Sequence, residues 1–109
     1  MSLKTQDLFD VSNKVVVVTG GSRGIGEMIT SGFLANNSKV YITARKEEAL
    51  VKKAEELSQK YSCECIPVSG DISNSEGIDA LVNFLNDAEP DGIDFLINNA
   101  GAAWGANYD

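Results

Sequence analysis

The sequence contains no histidine, and it is poor in cysteine, proline and tryptophan, with two, two and one respectively. Without an imidazole there is no Ser-His-Asp triad, no histidine proton shuttle and no histidine-based metal site. Cys63 and Cys65 are the only thiols. Two such ligands do not complete a four-ligand metal site, and their spacing is not the redox Cys-x-x-Cys. On a strand the two would share a face, and the expectation is ordinary buried or half-buried thiols in a reducing compartment, the cytoplasm. Basic residues are scarce as well, nine against sixteen acids, for a net charge of −7. That balance argues against the clustered basic face of a nucleic-acid binder, and equally against an anionic membrane surface. No apolar run approaches the ~20 residues of a membrane helix. The stretch from Met1 to Asn13 mixes Lys4 with Asp7 and Asp10, unlike a secretory leader or a transit peptide. No metal, nucleic-acid or membrane partner is therefore expected.

What is present is a single-domain length, 109 residues, with an apolar share of 43 %. That share suffices for a core. Four short apolar runs fit strands buried on both faces of a parallel sheet: Val15 to Val18, Lys39 to Thr43, Cys63 to Val68 and Ile93 to Ile97. Between them lie stripes at helical spacing. The first is Ile25, Ile29, Gly32 and Phe33 with Met28 beside it, the second Leu50, Ala54, Leu57 and Tyr61, and the third Ile78, Leu81, Val82 and Leu85. Ser73, Asn74 and Ser75 are candidate N-caps for the third helix, and Pro90 follows its end. The order β-α-β-α-β-α-β predicts one half of a Rossmann-type, doubly wound parallel α/β sheet. In such sheets ligands bind at the carboxyl ends of the strands. Function is therefore expected after Val18, Thr43, Val68 and Ile97.

Each of those places carries distinctive residues. The first reads Thr19-Gly20-Gly21-Ser22-Arg23-Gly24-Ile25-Gly26. Gly20 permits a tight turn, Gly24 permits a phosphate to approach the backbone, and Gly26 is expected to let the helix pack close to the sheet. Free N–H groups and the helix dipole then favour an anion. The second reads Thr43-Ala44-Arg45-Lys46, where an NAD site would place an acid on the ribose. No acid is there to repel a 2′-phosphate, and Arg45 and Arg23 can flank one with charge-assisted bonds. NADP is thus favoured over NAD. The third holds Asp71 and Ile72. Asp71 suits an adenine amino group and a helix cap equally well. The fourth reads Asn98-Asn99-Ala100-Gly101. Its amides can tie neighbouring backbones together, and its small residues leave room for a ring or a ribose.

Together these motifs resemble the N-terminal half of a short-chain dehydrogenase/reductase. The family's T-G-x-x-x-G-x-G is met by Thr19 to Gly26, its Asp after the third strand by Asp71, and its N-N-A-G by Asn98 to Gly101. The resemblance runs from about Lys14 to Gly101. The stretch Asn99 to Ala106 is similar to the family's 3-oxoacyl-carrier-protein reductase branch, with its rhamnolipid-pathway members. The resemblance implies that Gly20, Ser22, Arg23, Gly24, Ile25 and Gly26 meet the pyrophosphate and adenosine side. It implies that Arg45 holds the 2′-phosphate, that Asp71 and Ile72 flank the adenine, and that Asn98, Ala100 and Gly101 line the path to the nicotinamide. It further implies a parent oxidoreductase that moves hydride between NADPH and a carbonyl/alcohol pair, acts on a small molecule and forms homo-oligomers.

One departure matters. The family's chemistry uses Tyr-x-x-x-Lys with a Ser and a further Asn. Here Tyr41 is followed four residues on by Arg45 and Tyr61 by Cys65, and Tyr108 lies next to Asp109. No residue of this chain is therefore assigned to catalysis. The expectation is a single partial NADP-binding domain over residues 1–109, truncated before the catalytic segment. The alternatives are a non-catalytic NADP-binding or dimer-partner fragment and a nonfunctional truncated product. The last strand should have an apolar unpaired edge, and Trp104 should be exposed.

Overall fold

The computed structural model describes residues 10–99. Four parallel strands alternate with three helices. In chain order these are β1 (Val15–Thr19), α1 (Gly24–Ala35), β2 (Lys39–Ala44), α2 (Glu47–Tyr61), β3 (Cys65–Ser69), α3 (Ser75–Ala88) and β4 (Phe95–Asn98). The sheet order is β3-β2-β1-β4, so the chain winds outward from β1 and then returns to its other side. Val16 pairs with Val40 on one side and with Phe95 on the other. The reversal beside β1 opens a crevice where β1 and β4 end, the place at which such sheets take ligands.

Successive strand residues face opposite sides of the sheet. Val16, Val18, Val40 and Ile42 face α1 and α2 and join Leu34, Leu50, Ala54 and Leu57 in one buried cluster. Val17 and Tyr41 point the other way, toward α3, where the Phe84 ring meets Tyr41 edge-on at 6.1 Å. Helix α3 buries no residue fully. Its Ile78, Val82 and Phe84 stay exposed, as do Phe95 and Leu96 on β4. Among the described residues β4 is the outermost strand on its side of the sheet, with Phe95 and Leu96 exposed, and Trp104 lies outside the described residues.

Three details correct the expectations from sequence. The first is the start of β3, which begins at Cys65 and not at Cys63. Ser62 caps α2 in the left-handed region at φ 51°, and the chain is still turning at Cys63, whose thiol donates to the Ser38 carbonyl. The second is the start of β4, at Phe95 and not Ile93. Asp94 exchanges hydrogen bonds with Val15 at the strand's entry, and Gly92 takes φ 94°. The third is the stripe on α1. Its buried residues are Gly26, Thr30 and Leu34, while Ile25 and Met28 face outward at 66 % and 68 % exposure. The helix rolls this way because Gly26 must lie against the preceding turn.

Candidate functional site

The turn after β1 is built by backbone contacts. Gly20 takes φ 66°, and its amide donates to the Thr43 carbonyl at 3.0 Å. That bond sets the glycine turn beside the end of β2, two residues before Arg45. The Gly20 carbonyl accepts from the Asn99 side-chain amide at 3.1 Å, which ties in the end of β4. A Cβ on Gly26 would lie 1.9 Å from that same carbonyl and 2.7 Å from Asn99 Nδ2. The close approach that glycine permits here is therefore of helix to turn. Packing of helix onto sheet, the role expected for Gly26, is not what requires it. Thr19 completes the ring, its hydroxyl donating to Asn98 Oδ1 at 3.0 Å.

Gly21 and Thr30 carry structural roles that no motif revealed. A Cβ on Gly21 would meet Ile42 Cγ2 at 2.7 Å and Thr30 Oγ1 at 2.8 Å. The buried Thr30 hydroxyl lies within hydrogen-bond reach of the Gly26 and Gly21 carbonyls, at 2.8 and 3.2 Å. The available signal was a second glycine beside the first, followed nine residues later by a threonine on the apolar side of a helix.

The other side of the turn is open. Gly24 takes φ 61° and is exposed, with nothing within 4 Å of the place a Cβ would occupy. Arg23 stands at the N-cap of α1 and makes no side-chain capping bond. The first amides of a helix have no intrahelical partner, so this terminus keeps donors and a positive dipole end for an anion. The contrast with α3 is direct, because there Asn74 Oδ1 accepts from the Gly77 amide at 2.7 Å. Arg23 and Arg45 are both exposed, and among the described residues neither is in a salt bridge. A phosphate group fits this donor set: an open backbone cradle, an uncapped helix end and two guanidinium groups.

After β3, Asp71 and Ile72 are half-buried. The cap of α3 is Asn74, while Asp71 bonds locally to Ser73. The Ser73 hydroxyl bond, then the Ser73 amide, hold the Asp71 carboxyl below the usual 3.8, with a smaller contribution from the Arg45 charge. Ile72 lines a cleft of about 220 Å³ between the strand ends and α3, together with Thr43, Val68, Gly70, Gly77 and Leu81. Gly77 was not singled out in the sequence, yet a Cβ there would fall 1.7 Å from the Asp71 carbonyl oxygen. Ser22 is half-buried in the turn, Ile25 is exposed on the first turn of α1, and Asn98 ends β4. The structure thus gathers Gly20, Ser22, Arg23, Gly24, Ile25, Gly26, Arg45, Asp71, Ile72 and Asn98 at the carboxyl ends of the strands. Ala100 and Gly101 lie outside the described residues.

A parallel sheet with a glycine turn after β1 and an Asn pair at the end of β4 defines a class. The family model of short chain dehydrogenases matches residues 14–109, and the chain belongs to that family. Among individual relatives, the 3-oxoacyl-[acyl-carrier-protein] reductase of rhamnolipid biosynthesis from Pseudomonas aeruginosa is 41 % identical over 98 residues, covering 90 % of this chain and 37 % of that enzyme. The solved Pseudomonas aeruginosa RhlG/NADP active-site complex superposes with a TM-score of 0.78 at 37 % identity, over 84 % of this chain and 36 % of that one. L-Sorbose reductase from Gluconobacter frateurii, complexed with NADPH and L-sorbose, gives a TM-score of 0.76 at 35 % identity, over 81 % of this chain and 33 % of that one. The chain spans about a third of the length of these relatives.

Proposed function

We propose that this chain is the NADP-binding portion of a short-chain oxidoreductase whose whole protein transfers hydride between NADPH and a carbonyl/alcohol pair, of 3-oxoacyl type. The observation that carries the cofactor assignment is the pair of exposed arginines, Arg23 and Arg45, at an uncapped glycine turn with no acid at the end of β2. In this assignment the turn from Gly20 to Gly26 holds the pyrophosphate. Arg45 and Arg23 hold the 2′-phosphate, Asp71 and Ile72 flank the adenine, and Asn98, Ala100 and Gly101 lie along the nicotinamide side. The bound cofactor supplies the hydride. This chain's own part is to bind and orient it, since no Tyr-x-x-x-Lys occurs in these residues. The names of RhlG and sorbose reductase, complexed with NADP and NADPH, support the same cofactor.

A cytoplasmic setting, a small carbonyl substrate and a homo-oligomeric whole protein belong to the same proposal, without a nucleic-acid or membrane partner. Two free thiols support a reducing compartment. Among the described residues no helix is long and apolar enough to cross a membrane. The exposed apolar stripe of α3 supports burial against further protein.

Calorimetric titration of the Arg45→Asp variant with NADP and with NAD tests the assignment. Loss of a charge-assisted phosphate contact should weaken NADP by about tenfold or more, with NAD unchanged or tighter. An unaltered preference for NADP would remove Arg45 from the site.

A further inference from the structure

We propose that Ser73 is a positioning residue that sets the base selectivity of this cofactor site by holding Asp71 in one orientation. The inference rests on the NADP assignment above and assigns a role to a residue outside the site as drawn there. Asp71 is restrained from two directions. Its Oδ1 accepts from the Ser73 hydroxyl at 2.5 Å and from the Ser73 amide at 2.9 Å. Its main-chain carbonyl abuts the first turn of α3 so closely that only glycine fits at position 77. Both the backbone and the side chain of Asp71 are thereby fixed. Among the described residues Oδ2 has no hydrogen-bond partner. One carboxylate oxygen is occupied, and the other is left as an acceptor on a carboxyl near enough to Arg45 to feel its charge.

A fixed acceptor discriminates by position. Oδ2 can accept from the exocyclic amino group of adenine. Hypoxanthine carries a carbonyl oxygen at that place, which a fixed carboxylate oxygen repels. Its ring N–H lies one atom further round, where a carboxylate free to turn can still find it. The Ser73 hydroxyl bond prevents that turn. Removing the hydroxyl leaves one bond on Oδ1, from the Ser73 amide, with the Gly77 contact, so the backbone stays and the carboxylate can pivot about that single bond.

The test is calorimetric titration of the full chain with NADP and with its hypoxanthine analogue, for wild type, Ser73→Ala and Ser73→Thr. Wild type should prefer NADP by about tenfold or more, the scale of one hydrogen bond to a charged group. Ser73→Ala should bring the two nucleotides to within about threefold, chiefly by tightening the analogue, a smaller residual than one such bond supports. Ser73→Thr retains the hydroxyl and should keep the wild-type ratio. If Ser73→Ala binds NADP and keeps the wild-type ratio, or weakens both nucleotides equally, Ser73 is merely structural and the inference is overturned. If Ser73→Ala does not fold, a Ser73→Thr ratio that departs from wild type overturns it, and a retained ratio supports it. A wild-type chain that binds neither nucleotide overturns the cofactor assignment itself, and this inference with it. Arg45→Asp separates the two, since it should weaken both nucleotides and leave their ratio unchanged.

Discussion

The two faces of the sheet are held by different physics. On the α1/α2 face, Val16, Val18, Val40 and Ile42 interlock with Leu34, Leu50 and Leu57, each 2 % exposed or less. On the other face α3 has no fully buried residue of its own, although Val17 and Tyr41 are buried beneath it, and polar contacts mark its two ends. At its C-terminal end Glu89 Oε2 accepts from Tyr41 Oη and from Lys39 Nζ, both at 2.6 Å. At its N-terminal end Asn74 caps the helix and Asp71 bonds Ser73. One face is specified by apolar area, which is non-directional. The other adds, to a smaller apolar contact, a few directional bonds at the two ends of a helix. A helix fixed at its ends over a sparsely packed middle leaves the 220 Å³ cleft beside Ile72.

Truncation in each face should make the difference measurable. Leu50→Ala, in the dense cluster, should cost about 2–5 kcal/mol by urea denaturation. Leu81→Ala, on half-buried α3, should cost about 1 kcal/mol or less. Equal losses would break the comparison. The polar attachment gives the next effect. Glu89→Gln keeps the shape and loses the charge, and should cost about 1 kcal/mol at neutral pH.

The pH dependence of that attachment has a definite sign. Lys39, and after it Tyr41, hold the Glu89 carboxyl below the usual 4.5. A carboxyl lowered in the folded state stabilises fully above its unfolded value and loses that contribution as pH falls through its folded one. Glu89→Gln should therefore show a shallower acid limb of stability below about pH 4.5 than wild type. The smallest effect lies at the alkaline end. Burial, and then the bond to Glu89, push the Tyr41 phenol from 10.0 to about 12. That contribution is intact below pH 10 and is lost as pH rises toward 12. Tyr41→Phe should remove part of the loss. Cys65, pushed by burial from 9.0 to about 12, supplies a further part that this variant retains.

The same contrast explains how far the sequence could be read. The β-branched runs around Val16 and Val40 and the stripe Leu50, Ala54, Leu57 mark buried face and period together, and they appear where expected. Hydrophobic periodicity reports apolar burial, and that is what builds this face. The stripe Ile78, Leu81, Val82 and Leu85 marks a real helix, but not its seating, because Glu89 and Tyr41 stand 48 residues apart and follow no period. In the site, Gly20, Arg23, Gly24 and Arg45 stand at the strand ends, as their spacing implied. Gly26 was singled out for the wrong neighbour. The clash that excludes a side chain there involves a carbonyl six residues earlier and an amide brought in from Asn99. Gly77 carries no signal in the sequence, and Ser73 reads there as a candidate cap, whereas the cap is Asn74 and both Ser73 and Gly77 meet Asp71.

The position of β1 between β2 and β4 bears on the order of assembly. Its pairing with β2 closes a short loop, and the helix between them supplies local contacts. Its pairing with β4 joins residues such as Thr19 and Asn98, 79 apart in the chain. Loop-closure entropy grows with that separation, and contacts of long sequence separation slow folding. The bond from Asn99 to the Gly20 carbonyl spans the same 79 residues. The glycine turn is therefore expected to acquire its finished shape only when the far end of the chain arrives.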